Sequence, residues 1–293
     1  MSTDTYPRFL SHITNVDSVN LALRLTLLNL LLTPIGDWTL RPFILSLASL
    51  GLVFPVLLRN PALWLALTIL TGLRVIFDWP LADNHAYLFC YWCLAVFIAV
   101  SVKPTQDCLA LNGRLLIGWV FLFATLWKLV LSPDYFDGLF FRVIMITDPR
   151  FEGFAQLAGG LSMEMLADLR SFIQQPVYNL ATYPDLIVQE PARFIQVASM
   201  AAIWNILIDA LIAIAFLWPV DRGISRYRDD LLIIFCLVTY AVATVAGFGW
   251  LLIAMGVAQC EVKKQSRLIL YLITFLAILL YREIPWATLL LSI

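Results

Sequence analysis

At 293 residues, with 61% hydrophobic and only 13% charged side chains, the chain holds far fewer charges than the roughly one quarter of a soluble domain. A net charge of −1 and the lack of a basic stripe exclude a nucleic-acid partner. The mean hydropathy of +0.87 instead predicts an all-α, polytopic transmembrane helix bundle forming one membrane domain over 1–293, with membrane lipids as its surroundings.

In chain order, residues 1–16 mix Asp4, Arg8 and His12 without an apolar core, so no cleaved signal peptide is expected. Apolar runs then predict spans near 19–35, 40–58, 61–79, 83–102, 114–132, 193–219, 231–258 and 267–281. Pro34, Pro42, Pro61, Pro104 and Pro219 fall at or near their ends, as helix punctuation does. Eight spans fit best; seven is the alternative, because Arg282 and Glu283 interrupt the last run.

Between the fifth and sixth spans, 133–191 is too polar to cross. Eight carboxylates, from Asp134 to Glu190, alternate there with aromatics such as Tyr135, Phe140 and Phe151. That mixture predicts short interfacial helices capping a cavity; a solvated loop with a few interfacial anchors is the alternative. Basic residues near span ends place the N-terminus in the cytoplasm. On that topology Arg8, Arg59, Lys103, Arg114, Arg222, Arg226, Arg228 and Arg282 lie inside, against Arg41, Lys263, Lys264 and Arg267 outside.

Ionisable residues inside spans mark functional sites by default, because a charge at the bilayer centre costs about 2.5–3.5 kcal/mol on insertion scales. Lys128 interrupts the uncharged run 115–131, and Asn84 and His85 open the run before it. An antiparallel hairpin of those two spans brings Lys128 back to the depth of Asn84 and His85, near the outer face. Desolvation would favour a neutral Lys128 amine able to act as base. His85 could relay protons, and Asn84 could hydrogen-bond a quinone oxygen. The competing reading has Lys128 snorkelling to the interface and His85 sitting at a capped helix end. Arg24, Arg74 and Asp209 are candidates for internal ion pairs, Asp209 with Lys128 or an arginine. Cys90 and Cys93 form a Cys-x-x-Cys that is either a redox pair or two small packing residues. With two histidines in the chain, no metal or haem site is expected.

The segment Asp83-Asn84-His85-Ala86-Tyr87-Leu88 resembles the Asn-His-Tyr-Tyr-Leu segment of the vitamin K-dependent gamma-carboxylases. The run from Gly118 to Leu129, followed by Tyr135-Phe136-Asp137-Gly138, is similar to their helix ending in Lys-Lys-Leu and Trp-x-x-Gly. Leu207-Ile208-Asp209-Ala210 to Asp221-Arg222 resembles a further helix closing on Asp-x-x-Arg. The pattern is that of the horizontally transferred transmembrane (HTTM) family, which shares the carboxylase membrane core.

The resemblance implies that Lys128 is the base that begins oxidation of a hydroquinone, with Asn84 and His85 contacting the ring. It also implies a quinone or hydroquinone lipid as cofactor or substrate. The first lysine of the family pair is Trp127 here. A family His and Asn fall on Thr239 and Val242, and no counterpart of the propeptide-binding portion is present in this sequence. Glutamate carboxylation is therefore not expected. Two classes remain: a quinol-dependent oxidoreductase or lyase, and a non-catalytic membrane subunit acting as scaffold, maturation or immunity partner of another protein. A transporter is disfavoured, because no repeats or paired broken helices are visible.

Overall fold

The computed structural model describes residues 17–33, 35–173, 190–243, 245–260, 265–284 and 286–291; these are helical, with no strand among them. The main helices are α1 (Ser18–Leu32), α2 (Arg41–Val53), α3 (Pro61–Phe77), α4 (Asn84–Ser101) and α5 (Thr105–Val130). After an intervening segment come α9 (Ala192–Leu217), α10 (Arg228–Val242), α11 (Ala246–Gln259) and α12 (Gln265–Glu283). Four of them, α4, α5, α9 and α12, are long and apolar enough to cross a membrane.

Local chemistry sets the helix ends. Asp17 and Asp83 cap α1 and α4 by accepting the amides of Val19 and Ala86, meeting orphan donors of the first turn. Asn60 caps α3 in the same way, with Pro61 in its first turn. The run 40–58 is interrupted at Phe54, where a single turn Pro55–Leu58 replaces the continuing helix.

The apolar run 231–258 is not one span but an antiparallel hairpin. Arg228 at the start of α10 donates to Gln259 at the end of α11 (2.7 Å), and Tyr240 near the end of α10 lies against Gly249 near the start of α11. The chain thus reverses between Val242, the end of α10, and Ala246, the start of α11. Helix α12 then runs back along α11, with Tyr271 against Gly256 and Ile278 against Gly249.

α11 is the axis of the bundle. From Gly249 to Gln259 every residue is buried, and the helix packs on α1, α5, α12, α10 and α4. Small residues allow that crowding: a Cβ on Gly113 of α5 would sit 2.9 Å from the Met255 carbonyl oxygen. Polar atoms inside are paired across helices. Trp92 donates to Thr26 (2.8 Å), Asn29 to the Gly247 carbonyl (2.9 Å) and Tyr271 to Asp229 (2.9 Å). Each would otherwise be a buried unsatisfied group.

The part of 133–191 that is described folds as α6 (Leu139–Thr147), α7 (Glu152–Leu157) and α8 (Met163–Ile173), with single turns at Pro133–Tyr135 and Pro149–Phe151. It has a small core of its own around Met145, Phe151, Leu166 and Phe194, by which it docks on the start of α9. Gly138, at φ +75°, makes the turn into α6; a Cβ there would lie 2.9 Å from the Ser199 amide. This capping layer covers the end of the bundle where α3 and α12 finish and α4, α9 and α11 begin. That end is called the capped end below.

Candidate functional site

Two polar constellations sit at the capped end. The first lies between α5 and α9, the most extensively packed helix pair. Lys128 Nζ forms an ion pair with Asp209 Oδ2 and donates to Asn205 Oδ1 at 2.5 Å. Tyr135, from the capping layer, donates its hydroxyl to the same Asn205 oxygen (2.9 Å) and turns its ring to the ammonium at 5.2 Å. The side chains of Lys128 and Asp209 are 14% and 4% exposed. Both side chains are therefore largely buried, Asp209 more deeply than Lys128. Asp209 Oδ1 is buried and has no hydrogen-bond partner among the described residues. Burial and the carboxylates of Asp209 and Asp134 push the Tyr135 phenol well above its usual range, so it remains a hydrogen-bond donor.

The second constellation is a cavity of about 380 Å³ around the N-terminus of α11. His85 stacks on Phe248, ring centroids 4.3 Å apart. Arg74 from the end of α3, Arg150 from the capping layer and Arg282 from the end of α12 complete the polar wall with Asp83. Phe89, Ile35 and Leu251 form a buried apolar floor.

Lys128 lines no part of this cavity. The hairpin of α4 and α5 is antiparallel as expected, but α5 begins at Thr105 rather than near Arg114. Lys128 is thus 23 residues along α5, whereas His85 is 16 residues from the end of α4. The difference of seven residues is about 10 Å of helix. Lys128 also faces α9, while His85 faces α11. The two share an end of the bundle and occupy different walls of it.

Other sequence candidates fall as follows. Asn84 is the first residue of α4, exposed and outside the cavity wall. Arg24 is exposed on α1, whose Leu23, Leu27 and Leu30 are buried, and has no ion-pair partner among the described residues. The expected internal pair is not made there. Arg74 pairs with Asp78 one turn on (3.3 Å), at the exposed end of α3 rather than inside the bundle. Cys90 and Cys93 are free thiols. Cys90 packs against Gly72 and the Thr68 carbonyl, while Cys93 is fully buried. Thr239 and Val242 lie on α10, with Val242 packed against the core of the capping layer. No group of three or more His, Cys, Asp or Glu able to hold a metal occurs among the described residues.

Asn205 and Tyr135 complete the lysine cluster; Tyr135 reads in the sequence only as an interfacial aromatic, and Asn205, a lone amide, carries no charge signal. Their spacing gave one clue: Asn205 is four residues before Asp209, hence on the same helix face. No family model, curated protein or solved structure matches this chain.

Proposed function

We propose that this is a multi-pass membrane protein that binds a lipid-phase molecule bearing a weakly acidic hydroxyl, of the hydroquinone class, and takes up its proton at the Lys128–Asp209 pair. The observation that carries the reading is the unpartnered, buried Asp209 Oδ1 beside an ammonium already bound to Asp209 Oδ2 and Asn205. In this reading the two groups act as one acid–base unit, so the base is the pair rather than the lysine alone. Proton uptake leaves an oxyanion beside a retained positive charge, with Tyr135 and Asn205 as fixed dipoles around it. The carboxylase-like motifs supply the hydroquinone class; His85 and Asn84 lie away from Lys128 and take no part in the proton transfer.

In this reading all nine alternating helices are membrane passes. The N-terminus is cytoplasmic and the capped end outward.

A structural pin is the second reading, favoured by the ion pair closing the largest helix interface. The test uses protein in nanodiscs and follows aerobic oxidation of a hydroquinone by quinone absorbance. Lys128→Arg and the doubly apolar Lys128→Met with Asp209→Leu should both lose about 10²–10⁴-fold in rate, the usual share of an acid–base group, while remaining folded. Wild-type rates in the folded double variant would establish the pin and end the catalytic reading.

A further inference from the structure

We propose that the cavity at the N-terminus of α11 is a binding site for an anionic amphiphile: a carboxylate or phosphate head held by Arg74, Arg150 and His85, with its apolar body on the floor of Phe89, Ile35 and Leu251. This inference does not depend on the Lys128 reading, which concerns a different wall of the bundle.

Charge comes first. Three guanidiniums from three separate segments converge on one cavity whose wall contains a single carboxylate, Asp83. The acidic neighbours of the arginines, Asp78, Asp148 and Glu283, lie outside that wall. They do not exhaust the arginines either. Arg74 donates to Asp78 through Nε alone, and Arg150 to Asp148 through Nε and Nη2. Since a guanidinium carries five N–H donors, each keeps donors to offer a second oxyanion in the forked geometry that carboxylates and phosphates match. The first turn of α11 adds Ala246, Gly247 and Phe248 to the same wall, where the positive end of a 14-residue helix favours an anion.

The distribution of exposure makes the ligand amphiphilic. Phe89, Ile35 and Leu251 are 6%, 6% and 1% exposed, whereas the side chains of His85 and Arg150 are 42% and 49% exposed. The apolar surface is therefore deep and the charged surface is at the rim. A free inorganic anion would use only the rim. The volume of about 380 Å³ lies within the roughly 300–1,000 Å³ of small-molecule sites. Arg150 comes from the capping layer, so the site is completed only when that layer is docked.

The experiment measures binding to the full chain in phosphatidylcholine nanodiscs by calorimetry, with dodecyl phosphate, dodecanoate, dodecanol and inorganic phosphate as probes. Dodecyl phosphate and dodecanoate should bind at one site per chain, and dodecanol and inorganic phosphate at least tenfold more weakly. Arg74→Gln and Arg150→Gln should each weaken the anionic probes about tenfold. Asp83→Asn keeps the helix cap, since Asn caps as well as Asp, and removes the one carboxylate in the cavity wall, so it should tighten them several-fold. Because that variant predicts a gain, the test survives any loss of folding in the arginine variants. Equal binding of dodecanol would reduce the cavity to an apolar groove and overturn the proposal. Inorganic phosphate binding as tightly as dodecyl phosphate would overturn the amphiphile, and no tightening in a folded Asp83→Asn protein would overturn the electrostatic argument.

Discussion

Breaking the Lys128–Asp209 pair from its two sides should have unequal costs. Removing one partner of a buried ion pair costs about 3–5 kcal/mol, because the other charge is left without compensation. Asp209→Ala leaves the Lys128 ammonium, which is 14% exposed and still holds Asn205 and the face of Tyr135. Its cost belongs near the lower limit, about 3 kcal/mol. Lys128→Ala leaves a carboxylate that is 4% exposed, with Oδ1 already unpartnered. Its cost belongs near the upper limit, about 5 kcal/mol. Lys128→Met with Asp209→Leu removes both charges and fills the space, so it should fall within about 1 kcal/mol of the native protein, as replaced buried pairs do. Denaturation of refolded protein by SDS in bicelles measures all three. Additive losses in the double variant, or a costlier Asp209→Ala, would show that the pair is not the buried, mutually compensating unit described.

Further outcomes follow from other contacts. Thr26→Val leaves the fully buried Trp92 indole without its acceptor and should cost about 1–3 kcal/mol in the same assay; Thr26→Ser should recover most of it. Gly113→Val forces a side chain onto the Met255 carbonyl where α5 crosses α11; overpacking typically costs about 1–3 kcal/mol, and the amides of α11 should exchange faster. The Arg150 guanidinium holds the Asp148 carboxyl below its ordinary value. A lowered folded value means the pair's stabilisation is complete above about pH 4, the ordinary aspartate value, and is lost as pH falls below it. Amide protection in 148–152, corrected for the intrinsic exchange rate at each pH, should therefore be unchanged from pH 8 to 5 and fall toward pH 3, and Asp148→Asn should show the lower protection already at pH 7.

Much of this arrangement is written locally in the sequence. Helix starts follow from Asp17, Asn60 and Asp83 as caps, and the pairing of Asp209 with Lys128 follows from the cost of leaving either charge alone in an apolar bundle. The reversal between α10 and α11 is not written that way. Tyr240 to Gly247 contains no proline, and its first glycine falls inside the second helix, so one continuous apolar run conceals two antiparallel helices. The early start of α5 is hidden for the opposite reason. Gln106, Asp107, Asn112 and Arg114 resemble a polar loop, and that loop reading placed His85 and Lys128 at the same depth. The arginine-lined cavity is assembled from residues 74, 150 and 282, which no local pattern connects.

The central claim, proton uptake by the Lys128–Asp209 pair, is tested most directly by nitrogen NMR. The chain has only four lysines, at 103, 128, 263 and 264, so ¹⁵N-lysine labelling in nanodiscs gives a spectrum in which the Lys128 signal is identified by its loss in Lys128→Arg. Adding a hydroquinone should shift that one amine resonance, its dimethyl ether should not, and Asp209→Asn should abolish the response. A Lys128 signal indifferent to the hydroquinone, or equally sensitive to the ether that has no proton to give, would contradict the account.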